Sequence, residues 1–385
     1  MISLGLSSAD LKLFHQGLAT HHSVKVSIAV LTLNHKYVGD LSTALLDGQV
    51  NIDGDADVTR SLTCQLLDPD RVIQLDSSSP NDGALFFDRM IQVTYSVKSE
   101  ALPRWVDVPI FTGPVVKMSR TGDIINLEAM GKEALVIPPT VAYYGKTWAK
   151  GLKKTDIVRA ILRDYGGETK FTIPDWTYRT TTPVTMTSET NMWALVKKLV
   201  GGREVRHVFY DGRGTLVVRD TPKTSTCSFA TGPGGNVTTR PVIEYDGAAL
   251  VNAVRVKGGD PKGKAKAPVV TVLAPASHPL SPVALGRNGK PRVILEILDD
   301  DTVKTAAAAK QLATSHLETV LKQAVDVKFD ALVWPHLEPE DAYTLTTGDF
   351  AIGARARQFS IPLRSGVMSV GTVKKVSVNR TGIRR

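Results

Sequence analysis

Residues Met90–Lys98 read MIQVTYSVK, and this stretch decides the fold class. Ile91, Val93, Tyr95 and Val97 alternate with Gln92, Thr94, Ser96 and Lys98, the period-two pattern of a strand with one buried face. Upstream, VKVSIAV sets Val24, Val26, Ile28 and Val30 against Lys25, Ser27 and Ala29 in the same way. Further short runs at 47–53, 57–68, 104–112, 114–120 and 123–130 lie between turn signals. About seven strands at this spacing predict an antiparallel β sandwich or barrel over residues 1–137.

From 138 to 221 the pattern changes to helical. DIVRAILRDYGG places Ile157, Ala160, Ile161 and Tyr165 at helical spacing and stops at Gly166-Gly167. A second helix is expected to start with Ser188 as N-cap and to carry Met192, Leu195, Val196 and Leu199 before Gly201-Gly202. EVRHVFY, the turn Asp211-Gly212-Arg213-Gly214 and TLVVRD then predict a hairpin. Residues 138–221 are therefore expected to form a small α+β module.

Period-two runs return near 225–230, 241–245, 250–257, 268–274, 292–298, 326–333, 342–347, 355–363 and 367–378. Asp299-Asp300-Asp301 precedes an alanine-rich run, which predicts a helix over 301–325 with acidic groups at the positive end of its dipole. Residues 222–385 thus read as a second β domain with a Pro/Gly/Lys-rich loop insertion at 259–298, either a contact surface or disordered. The fold class is mainly β with an α+β insert: two antiparallel β-barrel or sandwich domains flank a helix-pair and hairpin module.

The chain has 385 residues, 42% hydrophobic and 22% charged, a folded-protein composition that excludes a mostly disordered, collagen-like or coiled-coil chain. No run of about 18 apolar residues predicts a membrane span, and the N-terminus lacks the pattern of a signal peptide. The net charge is +9, but from Phe350 onward there are eight basic residues and no acidic one. Nearly all the excess sits in this C-terminal segment. Arg355, Arg357, Arg364, Lys374, Lys375 and Arg380 are the candidate interaction surface, for an acidic neighbour or an adjoining subunit. Arg355 and Arg357 share the parity of Phe359, Ile361 and Leu363, so the core face of that strand is expected to run out into two positive charges.

Motifs that would carry chemistry fail on inspection. GGDPKGK (Gly258–Lys264) matches part of a phosphate-binding loop, yet Ala265 stands where Ser or Thr would hold magnesium and a strand follows. Asp53, Asp55 and Asp57 resemble the start of a calcium loop, but Val58 and Cys64 occupy the glycine and glutamate positions, so an acidic hairpin turn is expected. The eight histidines fall in no zinc pattern, and His207 reads as a half-core residue. Cys64 and Cys227 are too few for a disulfide scaffold, and Cys64 reads as a buried strand thiol. Glu338, Glu340 and Asp341 cluster in WPHLEPEDAY, where Pro335 and Pro339 predict a solvated loop. They are the candidate acids of an alternative reading, a glycosidase-like hydrolase. No catalytic, metal or cofactor residue is assigned.

The organisation resembles the tail hub proteins (baseplate hub, or minor tail proteins) of long-tailed bacteriophages. Three signatures carry the resemblance: Asp57–Thr63 leading to Leu67-Asp68-Pro69-Asp70; the helices TDIVRAILRDYG and NMWALVKKLVGG before FYDGRGTLVVRD; and Leu250–Val256 with Pro335–Asp341. The family usually carries Gly where Glu340 stands, so a different turn geometry is expected there. The resemblance implies a non-enzymatic virion protein without cofactors. It would form a homotrimer whose two β domains per chain make a pseudo-sixfold ring between the hexameric tail tube and the threefold tip. Implied partners are the distal tail protein, the tape-measure protein and tip or central fibre proteins, with phage DNA a transient passenger in the channel. The implied location is the virion tail tip, after synthesis in the host bacterial cytoplasm. A tail-associated hydrolase or esterase, and a carbohydrate- or receptor-binding β protein, are the alternatives.

Overall fold

The computed structural model describes residues 1–76, 85–137, 145–201, 206–222, 224–245, 247, 250–259, 267–300, 303–321, 325–348, 351–364, 366–371 and 375–379. Internal contacts group the chain into two compact units, one holding Met1–Pro241 with Lys328–Thr372 and the other Val242–Val327.

In the first unit the predicted alternation is realised as one long antiparallel sheet. From Val325–Leu332 onward, its strands run in the order Val325–Leu332, Val367–Gly371, Gln358–Pro362, Leu45–Asp53, Arg60–Leu67, Ile124–Met130, Val106–Thr121, Arg89–Ser99, His22–Thr32 and Tyr37–Asp40. The order does not close on itself among the described residues. In Arg89–Ser99 the inward Ile91, Val93, Tyr95 and Val97 are at most 2% exposed, as their parity requires. The strand pairs along its whole length with His22–Thr32, Val93 opposite Ile28. Gln358–Pro362, far along the sequence, pairs with Leu45–Asp53, Ile361 opposite Val50. Strands from the first and last β segments therefore belong to one sheet. A second sheet sets Cys227–Ala230 parallel to Ala342–Thr346, which is antiparallel to Ala351–Arg355.

Helix α1 (Ser8–Leu18) precedes the first strand and was not expected from the sequence. Ser7 caps it, its Oγ accepting from the Asp10 amide at 3.1 Å, and Phe14 and Leu18 are buried.

The helix pair forms as predicted, with different ends. Helix α2 (Lys154–Ala160) runs on through a wider turn, Ile161–Tyr165, to Gly166. Helix α3 (Met192–Val200) is capped by Asn191 rather than Ser188: the Asn191 Oδ1 accepts from the Ala194 amide at 3.0 Å. Ser188 lies instead in the turn closed by Thr187 and Thr190. Ile157, Ile161, Trp193, Val196 and Leu199 pack with Val208, Leu216 and Val218 of the hairpin Arg206–Tyr210/Leu216–Asp220.

The module does not stand apart from the first β segment. The turn Asp211–Gly214 presses onto the strand Val106–Thr121, with the Thr112 hydroxyl donating to the Gly212 carbonyl at 2.9 Å. Lys132, 5% exposed, donates to Glu168 at 2.6 Å and to the Gly214 carbonyl at 3.0 Å, with His35 Nε2 at 3.1 Å. Burial lowers the Lys132 pKa, and Glu168 opposes that shift. Burial and the Lys132 charge bring His35 down to about 4, so it meets the ammonium as a neutral ring.

In the second unit, Ala253–Gly258 lies between antiparallel Val269–Leu273 and parallel Leu295–Asp300. Helix α4 (Ala306–Val320) covers one face, its Ala309, Ala313 and Leu317 meeting Val254 and Val256. It begins later than the expected 301, at the Thr305 cap, whose hydroxyl accepts from the Ala308 amide at 3.2 Å. Asp299 and Asp300 end the strand and do not cap the helix. The expected loop insertion is partly ordered by Asn252, whose side chain donates to the Arg292 carbonyl and accepts from the Ile294 amide. Lys262, Lys264 and Lys266 lie outside the described residues.

A Cβ added at Gly212 would lie 2.0 Å from the Pro109 carbonyl oxygen, backbone against backbone. Gly212→Ala is therefore expected to cost ~1–3 kcal/mol of unfolding free energy. Gly39→Ala, where nothing stands within 4 Å, should change it by less than ~0.5 kcal/mol. Denaturant titration of the two variants checks the contrast.

Candidate functional site

The acidic run expected to be solvated is among the most deeply buried stretches of the first unit. Glu338 is 2% exposed, Glu340 1% and Asp341 0%. The prolines do not project the loop outward; they shape a tight turn whose backbone is satisfied internally. The Leu337 amide donates to the Trp334 carbonyl, Glu340 to Ala356, and Ala356 to Asp341. Glu340 takes φ +65°, the left-handed region glycine occupies most readily, so the turn geometry of a glycine position is kept here. The expected departure is not seen.

Each acid meets an arginine from a different part of the sequence. Arg60, on the strand Arg60–Leu67, donates to Glu338 Oε2 at 2.5 Å, to the Tyr210 carbonyl at 2.5 Å and to the Ile110 carbonyl at 3.2 Å. Arg219, on the hairpin, lies 3.0 Å from Asp341 Oδ1 and donates to the Pro339 carbonyl at 2.7 Å. Arg357 holds Glu340 at 3.0 Å and Asp55 at 2.6 Å. Asp341 Oδ2 also accepts from the Glu338 amide at 2.7 Å. Glu133 stands beside this set, its Oε1 accepting from the Tyr210 amide at 3.2 Å. Burial raises the Glu338 and Glu133 carboxyls above the ordinary value, with Arg60 pulling both the other way.

This arrangement fixes structure and does not present a reactive pair. A glycosidase needs one carboxylic acid and one carboxylate flanking a cleft open to sugar. Glu338, Glu340 and Asp341 turn inward onto guanidinium groups, and a substrate reaches them only if the loop leaves its site. Among the described residues, no three His, Cys, Asp or Glu side chains gather as a metal site. Burial pushes the Cys64 and Cys227 thiols up to about 12, which makes both unreactive at neutral pH. The Asp53–Asp57 turn spends its acids locally: Asp53 accepts from the Asp55 amide at 2.8 Å, Asp55 pairs with Arg357, and Asp57 with Lys197.

The basic C-terminal residues divide into two groups. Arg357 is buried and committed to Glu340 and Asp55, and half-buried Arg355 lies 3.9 Å from Glu340. These two complete an internal network around Glu340. Their parity did not predict this, because the run 355–363 is not one strand: it breaks at Ala356-Arg357 between Ala351–Arg355 and Gln358–Pro362. Arg364 is exposed and donates to the Leu45 carbonyl. Lys374 and Arg380, and the Lys375 side chain, lie outside the described residues. The residues missed by sequence reasoning are Arg60, Arg219 and Glu133. The only available signal was Arg60 at an inward parity position between Ile52 and Leu62, where an apolar residue would ordinarily stand.

No protein-family model matches the chain, and no curated protein matches it in sequence. Solved structures do match in fold. The 43 kDa tail protein of prophage MuSo2 from Shewanella oneidensis superposes with a TM-score of 0.59 at 12% identity, over 93% of this chain and 100% of that one. A tail protein from Neisseria meningitidis gives 0.58 at 10%, over 91% and 96%. The prophage tail protein gp18 from Listeria monocytogenes gives 0.55 at 11%, over 93% and 96%.

Arg60→Met leaves Glu338 buried without its counter-ion and is expected to cost ~3–5 kcal/mol. Glu338→Leu strands the guanidinium in turn. The double variant Arg60→Met/Glu338→Leu should recover at least half of the summed loss, because a missing partner is worse than a missing pair. Urea unfolding of the four proteins gives the coupling, and strict additivity would remove the pair from its central role.

Proposed function

We propose that this chain, which has the fold of prophage tail proteins, is a structural, non-enzymatic protein of a phage-type tail, acting as its baseplate or tail-tip hub. The observation that carries the reading is the end-to-end likeness: 93% of this chain matches the whole of the MuSo2 tail protein, so no single module accounts for it. The inward, arginine-bound acids support a structural role over a hydrolytic one.

In this reading three copies form a ring, and each chain supplies two β segments, 1–137 and 222–385, with the α+β module 138–221 between them. Two similar β segments per chain let a threefold assembly present six equivalent positions to a hexameric tube. The pairing of Gln358–Pro362 with Leu45–Asp53 supports this, since it is the side-by-side sheet continuation that neighbouring positions of such a ring need. The distal tail protein, the tape-measure protein and the tip or fibre proteins would be the partners, with DNA passing through the channel. The protein would reside in the virion tail after synthesis in the host cytoplasm. Among the described residues no helix is long and apolar enough to cross a membrane. Exposed Arg364 with Lys374, Lys375 and Arg380 is the proposed docking surface for an acidic neighbour.

Light scattering of the purified chain is expected to give three times the monomer mass, and negative-stain images a ring. A strict monomer that forms no ring even with its tail neighbours would overturn the hub reading. Clearing of host envelope in a zymogram, lost on Glu338→Gln, would favour the hydrolase instead. Reversing the charge at Arg364, Lys374, Lys375 and Arg380 should abolish incorporation into tails while leaving the fold intact by circular dichroism.

A further inference from the structure

Helix α1 meets the buried acidic loop through two imidazoles. His15, in the last turn of α1, and His336, in the loop, bring their Nε2 atoms to 2.9 Å. The ring planes differ by 22° and the centroids are 5.0 Å apart. With the nitrogens this close, the contact is an in-plane N–H···N hydrogen bond rather than a face-to-face stack. One ring must donate and the other accept, so the bond requires at least one unprotonated Nε2.

The surroundings fix the roles. His336 is 1% exposed, and its Nδ1 has no hydrogen-bond partner among the described residues. An N–H stranded there would be costly, so the proton of His336 belongs on Nε2 and His336 donates. Half-buried His15 is then the acceptor. A proton arriving at His15 Nε2 removes that acceptor, and the bond can be remade only by moving the His336 proton to the unpartnered Nδ1.

Among the described residues, nothing nearby rewards the added charge. Trp334 and Phe14 flank the rings, Trp334 at 5.0 Å from His15 and Phe14 at 5.4 Å from His336. The loop's carboxylates are engaged elsewhere: Asp341 with Arg219 and the Met1 amino group, Glu338 with Arg60, Glu340 with Arg357. On the helix side, Asp10 pairs with Arg104 at 3.0 Å. Burial holds His15 below the ordinary imidazole range and His336 well below it, the latter helped by His15 and the Met1 amino group.

We propose that His15 and His336 form a proton-sensitive clasp: as a neutral pair they hold α1 on the acidic loop, and protonation of His15 loosens α1 while the sheet beneath stays folded. An opened α1 uncovers Phe14, Leu18 and the loop face that His336 occupies. The sign follows from linkage. The free helix takes up its proton near pH ~6.5 and the docked helix resists it, so the clasp is complete above that pH and weakens as pH falls below it.

Hydrogen exchange of the full chain, read by mass spectrometry at pH 7.5 and 5.5 and corrected for intrinsic rates, tests this. One linked proton changes the opening constant by up to about tenfold per pH unit below ~6.5. Peptides covering α1 should therefore lose at least about tenfold in protection at pH 5.5, while Leu45–Leu67 peptides hold theirs. His15→Gln should shrink this pH ratio, and His15→Gln/His336→Gln, which also removes the imidazole that opening exposes, should flatten it. Gly17→Ala should open α1 at both pH values by the same factor and keep the wild-type pH ratio, since its Cβ would lie 2.1 Å from Ser99 Oγ whatever the pH. Equal wild-type protection at the two pH values, or an unchanged pH drop in His15→Gln, would overturn the proposal. Should His15→Gln fail to fold, ¹⁵N-imidazole spectra of the wild type decide: titration of His15 in step with the α1 amides supports the clasp, and a neutral His15 through a loosening of α1 refutes it.

Discussion

Three carboxylates side by side in a dry interior are tolerable only if each is matched, and the first unit is arranged around that demand. Moving an ionised carboxylate out of water costs several kcal/mol even after relaxation, and a lone pairing recovers this only with good geometry and further hydrogen bonds. Glu338, Glu340 and Asp341 each have a guanidinium within 3.0 Å. The arginines spend their other N–H groups on the carbonyls of Ile110, Tyr210 and Pro339 and on Asp55. The loop therefore cannot be seated until the strand bearing Arg60, the hairpin bearing Arg219 and the segment bearing Arg357 are all in place. One arginine comes from each of the three sequence segments 1–137, 138–221 and 222–385.

That dependence explains why Met1–Pro241 and Lys328–Thr372 group into one compact unit. The α+β module has its own apolar core, with Trp193, Ile157 and Leu216 fully buried, and by composition alone could be taken for an independent domain. Its hairpin is nevertheless tied to the first β segment by polar contacts: Thr112 on the Gly212 carbonyl, Lys132 between Glu168 and the Gly214 carbonyl, Arg60 on the Tyr210 carbonyl. Buried polar contacts of this kind add little net stability over an apolar replacement, but they accept one register only. Their value here is in fixing which residue sits opposite which.

Local patterning carried the strands and helices. The alternation in Arg89–Ser99, the apolar stripe of Met192–Val200 and the glycines after α2 all report contacts made within a few residues, which sequence encodes directly. Other features depend on partners far along the chain. Arg60 and Glu338 are 278 residues apart, and neither neighbourhood announces the other. Pro335 and Pro339 beside three acids have the composition of a solvated loop, and only the distant arginines make burial affordable. Helix α1 was hidden for a milder reason: its Ser7 cap and the Leu11, Phe14, Leu18 spacing are present, but polar residues between them dilute the stripe. The cap of α3 fell elsewhere because Asn191 stands one residue before the first helical turn, where its oxygen reaches a free amide, and Ser188 is too early; α4 starts after the acidic run because Thr305 does the same there.

The same logic changes the meaning of the basic C-terminal segment. A count of charges treats every arginine as solvent-facing, yet Arg357 is 5% exposed and Arg355 turns toward the same carboxylate. Both lie against acids that the sequence places elsewhere, so neither is a free surface charge. Of the candidate basic residues whose side chains are described, Arg364 is the exposed one. The proposed clasp adds a contact of another kind to the same loop: it ties α1 to the turn that the arginines hold, through a hydrogen bond that needs an unprotonated ring nitrogen.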